Sequence, residues 1–308
     1  MPPTPDEQAL IERFSNTYQR LTSSEIMLGI ERAVCGCDYG CTSWTTRGEA
    51  REVCEMLGLA PGVRLLDNGS GSGWPGLYLA RESGCDAVLT DLPLEGLKVA
   101  KRRAAKDGLV ERCEIVQADG ANLPFPDGSF DAVYHSDVLC CLIEKQAVLK
   151  ECRRAIGVKG RMVFSVIMIA PGLSDEDYAA AADGGPTFIE TDTPYPDMLE
   201  QSGWKIADHT DQTADYFDTF RKMYELERAN EDELIRVHGT DGAKALLERR
   251  QATLIPVERG LLRRELFGVV PMGGVRLNFR PNAAGNHAMG TGSVRSGLPD
   301  AAPHGRSA

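Results

Sequence analysis

The stretch LLDNGSGSGWPG, Leu65 to Gly76, decides the fold. Leu65 and Leu66 extend an apolar run from Val63 that suits a buried strand, the run ends in an acid, Asp67, and the chain then turns through Gly69, Gly71 and Gly73. Glycines in this alternation let the backbone take positive φ and let a ligand approach it closely. Pro75 fits the first turn of a following helix, where its missing N–H costs nothing, and Leu77, Leu79 and Ala80 supply apolar helical positions. The stretch reads as strand, tight turn and helix start, with the helix N-terminus aimed at the ligand.

Two readings compete. Gly71, Gly73 and Gly76 satisfy the G-x-G-x-x-G fingerprint of dinucleotide-binding proteins, but that count leaves Asn68 and Gly69 inside the strand, which is poor strand chemistry. Counting from Gly69 instead puts Asp67 two residues before the first glycine, and this arrangement resembles the first motif of class I S-adenosylmethionine methyltransferases.

The 308 residues allow one large α/β domain with additions, or two small domains. A net charge of -11 and a pI near 5.1 argue against a nucleic-acid partner, whose phosphates call for clustered Lys and Arg. Nine cysteines, irregularly spaced and without an apolar signal segment, suit a reducing cytoplasm. The longest apolar run, Met162 to Ala170, is too short to span a bilayer, so a cytoplasmic protein with no membrane partner is expected.

Residues 1–10 are Pro-rich at the start and expected to fray, and 11–58 read as an N-terminal helical lid, with Leu10, Phe14 and Leu21 at helical spacing. CGCDYGCTSW, Cys35 to Trp44, is a glycine-bearing loop before a helix from about Arg47 to Leu57. Thiolates at Cys35, Cys37 and Cys41 could ligate a metal or metalloid. C-x-C-x3-C is not a standard zinc spacing, though, and no histidine lies nearby in sequence, so the expectation is small buried apolar residues and no metal.

From residue 59 to 280 strands and helices alternate. Asp86 to Thr90 is a strand ending at Asp91, and the helix from Leu94 buries Leu97, Ala100 and Ala104. Glu114 to Gln117 ends at Ala118-Asp119, Asp131 to His135 follows an Asp-Gly turn, and a helix showing Leu149, Cys152 and Ile156 on one face leads to a strand from Arg161 to Ile169. This predicts an α/β protein with a doubly wound, mostly parallel sheet and a ligand at the carboxyl ends of the strands. Asp91 lies 18 residues after Gly73, the distance for a carboxylate that accepts ribose hydroxyls from either cofactor.

The run from Asp119 through LPFPDGSFDAV to KECRRAIGVKGRMVF resembles, segment by segment, the region after the third strand of class I methyltransferases, in particular the small-molecule branch with ubiquinone-biosynthesis and amine methyltransferases. The likeness covers about Leu59 to Ile169 and implies a Rossmann-like sheet of seven strands, the last antiparallel, with S-adenosyl-L-methionine as cofactor. It implies further that Gly69, Ser70, Gly71 and Gly73 hold the methionine part, Asp91 the ribose and Asp119 the adenine amino group. Leu92 would pack on the adenine, Asp67 would support the turn or the ammonium, and Gly120 and Ser136 would complete the cofactor's surroundings. Asn68 departs from the family's apolar residue and needs a local hydrogen bond.

Pro171 to Ile235 holds seventeen Asp or Glu against four Lys or Arg. Residues 171–203 read as an acidic insertion after the fifth strand, irregular through TFIETDTPYPDML, and would favour a cationic or amine substrate. Gly203 to Ala207 is a sixth strand candidate, Phe217, Phe220 and Tyr224 line a helix, Ala243 to Val257 is helical, and Leu261 to Val270 is the last strand. Residues 281–308, almost without apolar side chains, are expected to be disordered.

Methyl transfer from a sulfonium needs alignment more than acid–base chemistry. His135 is the first candidate if a base is required, Asp137 the second. Pro-Pro-aromatic does not follow the fourth strand, which argues against a nucleic-acid base as acceptor. Three alternatives stay open: an NAD(P)-dependent oxidoreductase on the same turn, a non-catalytic cofactor-binding domain, and metalloid methylation through the cysteine loop.

Overall fold

A computed structural model describes residues 3–273. Its centre is a seven-stranded sheet in the order β3-β2-β1-β4-β5-β7-β6, formed by β1 (Arg64–Asn68), β2 (Asp86–Asp91), β3 (Cys113–Gln117), β4 (Phe130–Ser136), β5 (Ile156–Ile169), β6 (Trp204–Asp211) and β7 (Leu262–Pro271). β1 to β5 pair in parallel, and β7 runs antiparallel between β5 and β6. The expected doubly wound α/β fold is thus the observed one. The tail expected over 281–308 lies outside the described residues.

Both faces of the sheet are buried, which is why β1 reads as an unbroken apolar run rather than an alternating one. Leu65 packs on one face with Leu89, Ala132, Tyr134 and Val53, and Leu66 on the other with Val133, Phe164, Leu149 and Trp204. The crossover helices are α4 (Gly76–Ser83), α5 (Leu94–Lys106) and α6 (Lys145–Ala155). Leu97, Ala100 and Ala104 are buried on α5 as their spacing requires. Ile156, expected on the α6 face, instead opens β5, where it pairs with Phe130.

The N-terminal helices are α1 (Pro5–Leu21), α2 (Glu25–Cys35) and α3 (Arg47–Leu57). Fraying was expected over 1–10, yet α1 begins at Pro5, held by a capping box in which Thr4 and Glu7 exchange side-chain bonds with each other's backbone. After β5 come α7 (Asp175–Gly184) and α8 (Tyr195–Gln201). TFIETDTPYPDML, expected to be irregular, is helical from Tyr195, with Tyr195, Met198 and Leu199 buried. Pro196 sits in its first turn, where proline starts a helix rather than breaking one.

A larger addition, which the sequence reading did not separate, lies between β6 and β7: α9 (Thr213–Ala229), α10 (Glu231–His238) and α11 (Thr240–Glu258). The buried face of α9 carries Tyr216, Phe220 and Glu227, with Phe217 and Tyr224 only half-buried. Met27 and Ile30 of α2 pack with Leu234 and Ala243, with Leu21 of α1 against them, so α1, α2 and this addition form one cap over the carboxyl ends of the strands.

Candidate active site

β1 ends at Asn68, and the turn begins at Gly69, as the count from Gly69 requires. Gly69 and Ser70 both donate backbone N–H to Thr90 O, at 2.7 and 2.9 Å, which ties the turn to the end of β2. Asn68 is buried, and its side-chain oxygen accepts the Thr90 hydroxyl at 3.1 Å, the local bond its polarity calls for. Gly71 has φ +54, and a Cβ there would stand 2.5 Å from Tyr18 Oη. A Cβ on Gly69, at φ +84, would collide with Val138. The turn is thus closed in on two sides and open only to glycine.

Tyr18 was missed in the sequence, although it continues the spacing of Leu10 and Phe14 on α1. It is buried on Gly71 and Gly96, and its hydroxyl lies 3.3 Å from Thr42 Oγ1 in the cysteine loop. The N-terminal helix therefore lies directly on the glycine turn.

Two acids flank the turn. Asp91 accepts Gly71 N–H at 2.7 Å with one oxygen and Leu92 N–H at 2.8 Å with the other. Burial raises its carboxyl to about 6 against the pull of those two amides. Asp67 is fully buried, and burial, then the nearby Asp91, raises it to about 7, with the Gly76 amide opposing. Among the described residues, Asp67 Oδ2 and the hydroxyls of Ser70 and Ser72 are buried without a hydrogen-bond partner. Buried polar atoms are ordinarily satisfied, so this cluster at a close-approach turn fits a polar ligand.

The other predicted residues fall at the strand ends. Asp119 is exposed and accepts Ala121 N–H at 2.9 Å. A Cβ on Gly120 would be 3.0 Å from the Asn68 side chain, and Leu92, half-buried, accepts from Gln117 Nε2 at 2.8 Å. Ser136 Oγ faces the cysteine loop, 2.7 Å from Thr45 Oγ1 and 3.0 Å from Ser43 Oγ.

His135 points to the opposite face of the sheet. It is fully buried and stacked on Phe164 at 4.7 Å, and neither ring nitrogen has a partner. Burial lowers its pKa to about 3, so the ring is neutral. Asp137, at φ 54, turns its carboxylate to Arg264 Nε, at 3.0 and 3.1 Å. Arg264 is the hub that sequence reading missed. Its two terminal nitrogens meet Glu49 at 2.8 Å each, Gln212 at 3.0 Å, Ser165 at 2.9 Å and Thr45 at 3.4 Å. Burial works against its charge, but Asp137 and Glu49 outweigh it and hold the guanidinium protonated. The available signal was an arginine on the face of β7 that also carries Leu262 and Leu266, both buried.

Beside this hub a cleft of about 290 Å3 opens between α3 and α9, lined by Trp44, Tyr216, Glu49, Glu52, Asp215 and Asp218 among others. It is acidic and aromatic, and it draws on α9 rather than on the insertion at 171–203.

Residues 66–164 match the family model described as "Methyltransferase domain". "Methyltransferase GfsG" of Streptomyces halstedii is 28% identical over 165 residues, 52% of this chain and 59% of that protein. Phosphoethanolamine N-methyltransferase 1 of Zea mays is 24% identical over 209 residues, 66% of this chain and 41% of that protein. The chain thus spans about half the length of these curated relatives. Among solved structures, the [4+2]-cyclase SpnF superposes with a TM-score of 0.67 at 20% identity, over 88% of this chain and 99% of its own. No helix among the described residues is long and apolar enough to cross a membrane. Glycine turn, sheet order and family match agree: residues 66–164 are a methyltransferase domain, set in the class I, Rossmann-like methyltransferase fold.

Proposed function

We propose that this protein transfers a methyl group from S-adenosyl-L-methionine to a small-molecule acceptor by in-line displacement. The observation that carries the reading is the turn between Asp67 and Asp91, where glycines permit close approach and Ser70, Ser72 and Asp67 offer buried polar atoms that the protein leaves unsatisfied. In this reading Gly69, Ser70, Gly71 and Gly73 hold the methionine part and Asp67 supports the turn or the ammonium. Asp91 holds the ribose, Leu92 and Gly120 border the adenine, Asp119 takes its amino group, and Ser136 closes the methionine side.

The bound cofactor supplies a methyl group already activated on a sulfonium. What remains for the chain is to bind, align and exclude water. Tyr18 seals the turn, and the cap of α1, α2 and α9 to α11 covers the strand ends. Of the two candidate bases, Asp137 is committed to Arg264 and His135 is neutral and enclosed. The proposed transfer therefore rests on alignment, with the acceptor arriving as its own nucleophile.

An amine acceptor is the finer proposal. A neutral amine attacks the methyl group through its lone pair and becomes a cation as it forms the new bond, and Trp44 and Tyr216 beside Glu52, Asp215 and Asp218 suit that cation through ring and charge contacts; the Zea mays relative is named for an amine. The fold alone does not choose the reaction, since a neighbour in structure is a cyclase.

Calorimetry with S-adenosylhomocysteine and with NAD is the first test, followed by a labelled-methyl screen of amines, phenols, quinones and thiols. Binding of NAD alone would overturn the assignment in favour of an oxidoreductase. Cofactor binding with no transfer to any acceptor would point to a binding domain. Transfer confined to neutral acceptors would remove the amine reading only. The protein is proposed to work in the cytoplasm, with no nucleic-acid partner.

A further inference from the structure

Three side chains that lie apart in the sequence meet where α2 runs into the cysteine loop. Glu31, Cys37 and Cys41 bring one carboxylate oxygen and two sulfurs within 4.8 Å of one another. Glu31 and Cys37 are buried and Cys41 half-buried. The loop's own acid, Asp38, pairs with Arg32 and Arg103 instead, and the carboxylate comes from the helix.

We propose that Cys37, Cys41 and Glu31 form a binding site for a thiophilic divalent cation of the zinc or cadmium type. A tetrahedral ion with metal–sulfur bonds of about 2.3 Å keeps two sulfur ligands roughly 3.8 Å apart. The Cys37 and Cys41 Sγ atoms stand 3.8 Å apart. A carboxylate oxygen on the same ion would lie roughly 3.6 Å from each sulfur. Glu31 Oε1 is now 3.0 and 3.1 Å from them, as acceptor of both thiol protons. Admitting the ion thus requires the carboxylate to withdraw by only about half an ångström while each ligating thiol gives its proton to solvent.

Glu31 is oriented for this task by the main chain. Its Oε1 accepts Tyr39 N–H at 3.0 Å and its Oε2 accepts Gly40 N–H at 2.7 Å. Such outer bonds fix a ligand's direction and remain when the thiol protons leave. Burial raises the Cys37 thiol, and at Cys41 the bond with Cys37 lowers the thiol while burial and Glu31 outweigh it, a balance an ion reverses by its own charge. Thr42, the next residue along, touches Tyr18 on the glycine turn, so the ion would fasten the loop that borders the candidate cleft. The site stands on its own geometry and does not depend on the methyl-transfer reading.

Cadmium titrated into the reduced full-length chain tests it, read by sulfur-to-cadmium charge-transfer absorption. The expected result is a signal saturating at about one Cd2+ per chain, kept in Cys54→Ser/Cys141→Ser and lost in Cys37→Ser/Cys41→Ser. Serine retains a donor to Glu31, so the variant keeps the loop's hydrogen bonds. As a measurement free of substitutions, alkylation mapped by mass spectrometry should show cadmium shielding Cys37 and Cys41. No signal in the native chain, an undiminished signal in the Cys37/Cys41 variant, or shielding of other cysteines instead would overturn the proposal.

Discussion

Asp137 and Arg264 meet through both carboxylate oxygens, at 3.0 and 3.1 Å from Nε, and Arg264 is only 2% exposed. Since Glu49 takes the other side of the same guanidinium, one cation neutralises two buried acids. Replacing Arg264 by methionine strands both. The expected loss is about 3–5 kcal/mol of folding stability, measured by urea denaturation. Retained stability would mean that the acids find water or take up protons at little cost.

Asp91→Ala removes the acceptor for the Gly71 and Leu92 amides and, in the proposed reading, the ribose contact. Calorimetry should show cofactor affinity reduced by roughly tenfold or more, which corresponds to about 1.4 kcal/mol. Unchanged affinity, with the fold intact by circular dichroism, would remove Asp91 from the cofactor site.

The Asp67 carboxyl, raised by burial to about 7 from an ordinary 3.8, holds its proton in the folded state where the unfolded chain has lost it. The folded state therefore binds more protons between those values, and this residue's contribution to stability falls as pH rises through that window. Asp67→Asn should flatten the fall when stability is compared with the parent at pH 4, 5.5 and 7. A parallel pair of curves would show that Asp67 titrates normally.

His135 has the opposite sign. Its folded-state pKa, lowered to about 3 by burial, means that the unfolded chain binds the extra proton below about 6.5. Stability contributed by the neutral ring is full above that value and lost as pH falls towards 3. His135→Phe keeps the stack on Phe164 and removes two unpartnered nitrogens, so stability near neutrality should rise by about 1 kcal/mol. Methyl transfer should survive. If it is abolished in a folded variant, His135 acts as the base after all.

Gly71→Ala forces an L side chain to φ +54 against Tyr18 Oη. A cost of about 1–2 kcal/mol from the backbone alone is expected, together with faster proteolysis of α1 as Tyr18 is displaced. Normal protection of α1 would show that the helix does not rely on the turn.

Legibility in the sequence followed the range of the interactions. Leu65 to Gly76, the burial of Leu97, Ala100 and Ala104, and β7 were readable because each depends on neighbours a few residues away. Arg264 was not, since it meets Asp137 across 127 positions and Glu49 across 215. Glu31 is only six and ten positions from its two thiols, but they lie on a loop that folds back on its helix, which no regular spacing marks. Helix α8 was misread because Pro194 and Pro196 look like loop residues until the helix start is placed between them. β5, expected from Arg161, begins at Ile156, and its pairing register shifts between Phe130 and Ala132.

The position of β7 sets an order of assembly. Among the described residues, β6 touches the sheet only through β7, and β7 is the last strand. A nascent polypeptide that has not yet delivered Leu262–Pro271 leaves the rim of β5 bare and β6 without a neighbour. Exposed strand rims of that kind invite pairing with other molecules. The same segment brings Arg264, so closure of the sheet and neutralisation of Asp137 and Glu49 arrive together, in a single step.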